Sequence, residues 1–318
     1  GMQIRLDSRL EKLGIGPHLR RQLIKLNGND NLDDTWRNTL SRLSDSIPVI
    51  GGDFVERGGM IAFVGPTGVG KTTTTIALAG ILAERGNRVL LVDTDPHASL
   101  SYYFGIESED LDLSVYDLFI QVSSKEQILQ SLCPTKYSNI DILPATMGLA
   151  TLDRSLGNKG GMGLVLKKAM LTLKDDYDYI LMDCPPVLGV LMVNALAAAD
   201  RIVVPVQTEF LALKGLDRMI KTLEIMQGEQ DENFKYTIVP TMFDKRTKAS
   251  ILAFKKLQEL YSNKVWPGVV PVDTNLRNAS LAQQVPSDYA ANSRGSIAYQ
   301  SLLNFLLKQH SEIEEVKP

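Results

Sequence analysis

The residues with the most chemistry in their spacing are Gly65-Pro66-Thr67-Gly68-Val69-Gly70-Lys71-Thr72, set between an apolar run and a segment of helical periodicity. Gly68 and Gly70 allow the backbone to turn tightly enough for successive N–H groups to point inward, and the helix that follows presents its positive end at the same place. Such a cradle grips an anion. The complete G-x-x-x-x-G-K-[ST] spacing narrows the anion to a nucleoside triphosphate. Lys71 is placed to neutralise the β- and γ-phosphates, Thr72 to offer a hydroxyl to Mg²⁺ and Thr73 to reach the α-phosphate, with Gly65, Thr67 and Val69 completing the loop.

Two acidic strand ends extend this chemistry. Val89-Leu-Leu-Val-Asp93-Thr-Asp95-Pro96 and Tyr179-Ile-Leu-Met-Asp183-Cys184 each carry an apolar run into aspartate. In a doubly wound sheet both runs would end beside the phosphate loop, at the edge where ligands bind. Asp183 is the better candidate to hold Mg²⁺ through water; Asp95 is placed to orient or deprotonate the attacking water, and Asp93 reads as structural. Lys71, Asp95 and Asp183 are thus the candidate catalytic residues, and Thr72, Asp95 and Asp183 the candidate metal ligands. His97, next to Asp95, is the histidine nearest this chemistry.

Elements must position these groups. From Gly59 onward, short apolar runs alternate with helical segments, which predicts an α/β fold with a doubly wound, mostly parallel sheet covered by helices on both faces. Strands are expected at 60–64, 88–92, 141–143, 179–182, 201–205, 235–240 and 269–270. Helices are expected near 71–84, 114–120, 124–132, 160–173, 189–198, 212–227, 247–261 and 295–309. Leu6, Leu10 and Leu13, then Leu19, Leu23 and Leu26, then Trp36, Leu40, Leu43 and Ile47, predict three short helices before the sheet. The division is therefore a helical segment over 1–50 and a nucleotide-binding domain over 51–318.

Composition excludes several classes. The 318 residues are 44% hydrophobic and 22% charged with a net charge of −3, so the chain as a whole is no polycation. Two cysteines, Cys133 and Cys184, supply neither a disulfide framework nor a four-thiolate metal site within one chain. The longest apolar tract, residues 187–199, falls short of the roughly 20 residues a membrane span needs. The charged opening, Met2 to Lys12, has no secretion-signal pattern. A soluble, cytoplasmic protein without membrane insertion is the expectation. The final helix, with Leu302, Leu303 and Leu306, ends in acidic Glu312-Ile-Glu-Glu315 and reads as core-packed rather than lipid-binding.

Several separated segments resemble the ParA/MinD (Soj-like) family of P-loop ATPases over about residues 72–307. They are Thr72-Thr-Thr-Thr-Ile-Ala-Leu-Ala-Gly80, Val92-Asp-Thr-Asp-Pro-His97, Asp183-Cys-Pro-Pro186, Asn194-Ala-Leu-Ala-Ala-Ala-Asp200, Pro205-Val-Gln-Thr-Glu-Phe-Leu-Ala-Leu-Lys-Gly-Leu216 and Pro240-Thr-Met-Phe-Asp-Lys-Arg-Thr247. The resemblance implies the deviant-Walker class of fold, ATP/ADP and Mg²⁺ as cofactors, slow ATP hydrolysis, an ATP-dependent homodimer and a protein activator. It implies that Asp95 is the hydrolytic switch residue, that Asp183 begins the second switch, and that Thr241, Met242, Pro271 and Asp273 line the adenine. Its function would be partition of DNA or polar placement of chemotaxis or flagellar machinery. His97-Ala-Ser-Leu-Ser101 with Ser114-Val-Tyr-Asp-Leu-Phe119 is most similar to the members that place polar machinery. Lys245, Arg246, Lys248, Lys255, Lys256 and Lys264 form a basic run that suits non-specific DNA contact as well as it suits a solvated helix face.

Two departures qualify the resemblance. The family's second lysine, near the start of the loop, is replaced by Pro66, which removes a cross-dimer phosphate contact and predicts weaker activation by dimerisation. Residues 5–75, above all 56–75, resemble instead the helical prefix and P-loop of the SRP-type flagellar GTPase FlhF. That resemblance implies the alternative of a GTPase regulator of flagellar placement, although guanine-reading motifs are absent downstream. A nucleotide-bound scaffold with little turnover is a third reading, favoured by Pro66.

Overall fold

The computed structural model describes residues 58–121, 124–155, 162–227 and 234–308, together with Asp7, Ser8, Glu11 and Arg20. The boundary expected near residue 50, and all but four residues of the expected N-terminal helices, lie outside these.

Among the described residues, seven strands form one sheet in the order β3-β4-β2-β5-β1-β6-β7. They are β1 (Gly59–Phe63), β2 (Val89–Asp93), β3 (Cys133–Pro134), β4 (Ile140–Leu143), β5 (Tyr179–Asp183), β6 (Arg201–Gln207) and β7 (Tyr236–Thr241). Every pairing is parallel except that of the two-residue β3 with β4. The runs are apolar throughout because both sheet faces are covered. Met60, Ala62 and Val64 point into one buried layer and Ile61 and Phe63 into the other, the two-residue period of a strand.

Helix α1 (Lys71–Glu84) follows the loop and is buried on most sides. Then come α2 (Ser99–Tyr103), α3 (Val115–Ile120), α4 (Lys125–Gln130), α5 (Leu149–Ser155), α6 (Val165–Thr172), α7 (Val190–Ala198) and α8 (Phe210–Gln227). The described residues close with α9 (Lys248–Tyr261), α10 (Thr274–Leu281), α11 (Pro286–Tyr289) and α12 (Arg294–Lys308). Core residues of α3, α6, α7 and α8 share the Met60 face; those of α1 and α12 share the Ile61 face. Tyr299, Leu302, Leu303 and Leu306 of α12 are buried, as a core-packed closing helix requires. No helix among the described residues is long and apolar enough to cross a membrane.

Two expectations are corrected. The expected strand at 269–270 is not formed. The segment instead makes single bridges, Val265 to Ile238 and Pro271 to Phe243, along the outer edge of β7. The Pro267-Gly268 break and Pro271, which has no N–H to donate, prevent a continuous ladder. Helices α2, α5, α10 and α11 and strand β3 also went unpredicted; each has eight residues or fewer, too short for hydrophobic periodicity to stand out.

Candidate nucleotide site

Strand order alone brings the chemistry together. β5 lies between β1 and β2, and the register sets Asp183 beside Phe63 on one side and beside Asp93 on the other. The phosphate loop leaves the end of β1, so the loop and both aspartates meet at the carboxyl edge of the sheet.

Within the loop, Gly65, Gly68 and Gly70 have φ of 154°, 81° and 92°. At Gly68 and Gly70 a Cβ would meet nothing within 4 Å. The left-handed backbone, not crowding, is what demands glycine there. Thr241 at the end of β7 donates its hydroxyl to Val69 O at 2.8 Å and braces the loop from the side. Lys71 is 7% exposed, and its Nζ donates to Pro66 O at 3.0 Å. Burial pushes its ammonium pKa down, against the opposing pull of the charges on Asp183 and Asp95.

Thr72 donates its hydroxyl to Asp183 Oδ2 at 2.5 Å. Asp183 Oδ1 is buried and has no hydrogen-bond partner. Burial, and next the neighbouring charge of Asp93, raises the Asp183 carboxyl to about 7. An orphaned carboxylate oxygen beside a threonine hydroxyl is a hard-oxygen donor set that suits Mg²⁺, which takes one or two protein oxygens together with substrate phosphates. The residues fit the ion. Among the described residues no cluster of three acidic, histidine or cysteine side chains offers a rival metal cage.

Asp93 fills the structural part expected of it. Fully buried, it accepts bonds from Ser101 N and Oγ at 2.9 and 2.8 Å and from Asp95 N at 3.2 Å, and so folds the loop that follows β2. Asp95, on that loop, is mostly covered; it accepts from His97 N at 3.0 Å and lies 2.9 Å from His97 Nδ1. His97 itself is 80% exposed, so the pair sits at the rim. Cys184 is buried, and burial pushes its thiol well up, which leaves it an inert packing group.

A cleft of about 840 Å³ continues from Gly70 and Thr73 along the end of β7. Thr241, Met242, Pro271 and Asp273, expected around the base, all line it. Their parts differ. Thr241 uses its hydroxyl on the loop, Met242 takes the left-handed backbone at φ 52°, and Asp273 caps α10 through Asn275 N at 2.9 Å while accepting from Gly295 N at 2.8 Å. Gly65, Thr67 and Val69 do not line the cleft, and belong to the loop alone. Gln207, Ser250, Leu276 and Tyr299, not expected from the sequence, also line the walls. Gln207 had the same signal as Asp93 and Asp183, a polar residue ending an apolar strand; the other three are brought in by helices distant in sequence.

A parallel sheet with a strand, glycine loop and helix at its centre, a buried lysine in that loop and a threonine–aspartate pair beside it defines a P-loop nucleotide hydrolase. A family model described as an AAA domain (AAA_31) matches residues 60–236. The sporulation initiation inhibitor protein Soj of Bacillus subtilis is 36% identical over 236 residues, covering 74% of this chain and 92% of that protein. The chromosome partitioning protein ParA of Myxococcus xanthus is 32% identical over 243 residues, 76% of this chain and 85% of that one. A crystal structure of cobyrinic acid a,c-diamide synthase from Mycobacterium smegmatis with bound ADP and magnesium superposes with a TM-score of 0.67 at 31% identity, over 79% of this chain and 94% of that one. The chain belongs to the AAA_31 family of P-loop ATPases, of ParA/MinD type.

Proposed function

We propose that this ATPase is a Mg²⁺-dependent switch that acts in intracellular positioning or partition, with ATP closing the site and hydrolysis reopening it. The observation that carries the chemistry is the pairing of Thr72 with Asp183 at 2.5 Å next to an unpartnered Asp183 oxygen, beside the buried Lys71. Lys71 exchanges its Pro66 carbonyl for the β- and γ-phosphates, whose negative charge offsets the hydration that burial denies the ammonium group. Thr72 and Asp183 are the residues that would hold Mg²⁺, and the chemistry it would supply there is neutralisation of charge on the phosphoryl oxygens. Asp95 turns from His97 to orient the attacking water, and the loop anchored by Asp93 carries that movement outward. Backbone N–H groups of the loop hold the triphosphate in line, so the catalytic contribution is positioning and electrostatics rather than covalent chemistry.

The name of the Myxococcus xanthus relative, a chromosome partitioning protein, supports partition as the setting; a cytoplasmic location, an ATP-dependent homodimer and a protein activator complete the proposal. Exposed Lys245, Lys248, Lys255 and Lys256 support a DNA-facing surface on and before α9, with Arg246, which is paired with Asp244, among them. Calorimetry of the purified chain with Mg²⁺ and ATP tests the reading at its root. Micromolar affinity that disappears when Mg²⁺ is chelated is the expected result; no heat with either ATP or GTP would leave only the fold.

A further inference from the structure

Three carboxylates line the cleft that continues from the phosphate loop: Glu209, Asp244 and Asp273. Asp273 is taken up by the α10 cap and by Gly295. Glu209 is exposed on the turn into α8 and accepts from Gln207 Nε2 at 3.3 Å. Asp244 is held differently. Its Oδ1 accepts from Arg246 N at 3.0 Å and Arg246 Nε at 2.9 Å, and its Oδ2 accepts from Arg246 Nη2 at 2.7 Å. The guanidinium fork thus covers both oxygens side by side, the geometry in which arginine binds carboxylate best.

This matters for the choice of purine. Guanine presents an imino N–H beside an amino group, two adjacent donors that match the paired oxygens of a carboxylate. Adenine presents an amino donor beside a ring-nitrogen acceptor, and a carboxylate repels the second. A free carboxylate at this wall therefore favours guanine, and one chelated by arginine favours neither purine. Resting on the nucleotide reading above, we infer that Arg246 sets the purine selectivity of this ATPase, by occupying both oxygens of Asp244 and so withdrawing a guanine-reading carboxylate from the cleft. The backbone that carries the carboxylate does not depend on Arg246 for its place. Asp244 N donates to Ser250 Oγ at 3.1 Å, and Thr247 N and Oγ1 each donate to Asp244 O at 3.1 Å, which pins the backbone from both sides. The Arg246 bonds hold the Asp244 carboxyl down to about 2, so the oxygens are anionic and fully committed at neutral pH. Arg246 itself is 81% exposed, so its truncation removes the chelate without opening the core.

The test compares the unchanged chain, Arg246→Ala, Arg246→Gln and the double variant Asp244→Asn/Arg246→Ala, each titrated with Mg²⁺-ATP and Mg²⁺-GTP. The unchanged chain sets the reference GTP-to-ATP affinity ratio. Either single variant should shift the GTP-to-ATP affinity ratio toward GTP by about tenfold, the scale of a bidentate base contact, and the double variant should return to the original preference. An unchanged ratio in both single variants overturns the inference, as does a shift that survives in the double variant. Failure of the unchanged chain to bind ATP would instead overturn the nucleotide reading, and this inference with it.

Discussion

The proposed mechanism separates binding, at Lys71, from chemistry, at Asp95. Lys71 is buried at the mouth of the loop, where its ammonium group faces the phosphate cradle, so Lys71→Ala should weaken ATP affinity by about a hundredfold or more, read by calorimetry. Asp95 lies on a loop beyond the metal pair, where its carboxylate accepts from His97. Asp95→Ala should leave ATP affinity within about twofold while slowing hydrolysis by about 10² or more, the range typical of a lost general base. Measuring phosphate release at saturating ATP distinguishes this from a binding defect. Equal loss of affinity in the two variants would contradict the division of labour.

At the scale of elements, packing around α1 sets a conflict that magnitudes can decide. Gly80 lies inside this helix, where alanine would ordinarily gain about 1 kcal/mol. A Cβ at Gly80, however, would come within 2.8 Å of Val285 Cβ just before α11. Overpacking of this kind costs about 1–3 kcal/mol, so Gly80→Ala should lower the melting temperature rather than raise it. Asp273 makes a second element-scale case, since it caps α10 and holds the first turn of α12 through Gly295. Burial pushes its carboxyl up, but the N–H donors of Gly295 and Asn275 prevail and hold it below the ordinary range. A depressed carboxyl contributes stability above its unfolded pKa of about 3.9 and loses it as pH falls through the folded value. Asp273→Ala should therefore cost about 1–2 kcal/mol in thermal melts at pH 7, and the gap to the unchanged protein should narrow below about pH 4.

For the whole molecule the open quantity is how strongly assembly drives turnover. On the resemblance drawn from the sequence, Pro66 takes the place of a second loop lysine that would reach a partner subunit; a Cβ at Gly215 of α8 would lie 3.4 Å from Pro66 Cγ, so the ring leans on that helix. Pro66→Lys should raise ATP turnover in a manner that grows with protein concentration; identical turnover across a concentration series would show that this position does not limit activation. The basic surface makes the second prediction at this scale. Arg246 pairs with Asp244, Lys256 lies 3.6 Å from Glu259, and Lys264 stacks over Tyr236 at 4.1 Å. Exposed Lys245, Lys248 and Lys255 are placed to meet phosphates. If they do, ATP-dependent binding to mixed-sequence DNA should fall steeply between about 50 and 200 mM salt, and each lysine changed to alanine should flatten the log–log salt dependence by about 0.9. A slope unmoved by all three changes would assign these lysines to solvent.

The P-loop, its lysine and the two acidic strand ends were legible in the sequence, because each is a contiguous pattern whose chemistry depends on local backbone: glycines at left-handed φ, a helix start, an apolar run closed by aspartate. The central strands were legible for the same reason, since strands covered on both faces are uniformly apolar. Residue identities could not reveal which strands are neighbours. Sheet order set Asp183 beside Asp93, put an unpartnered oxygen next to Thr72 and gathered Gln207, Ser250, Leu276 and Tyr299 around one cleft. Nor could they show that Asp244 is chelated by Arg246 or that Thr241 braces the loop, because those bonds are chosen by side-chain direction after the chain has closed on itself. Local covalent pattern fixes what each group is able to do; long-range packing fixes which groups keep a lone pair or a proton with which to do it.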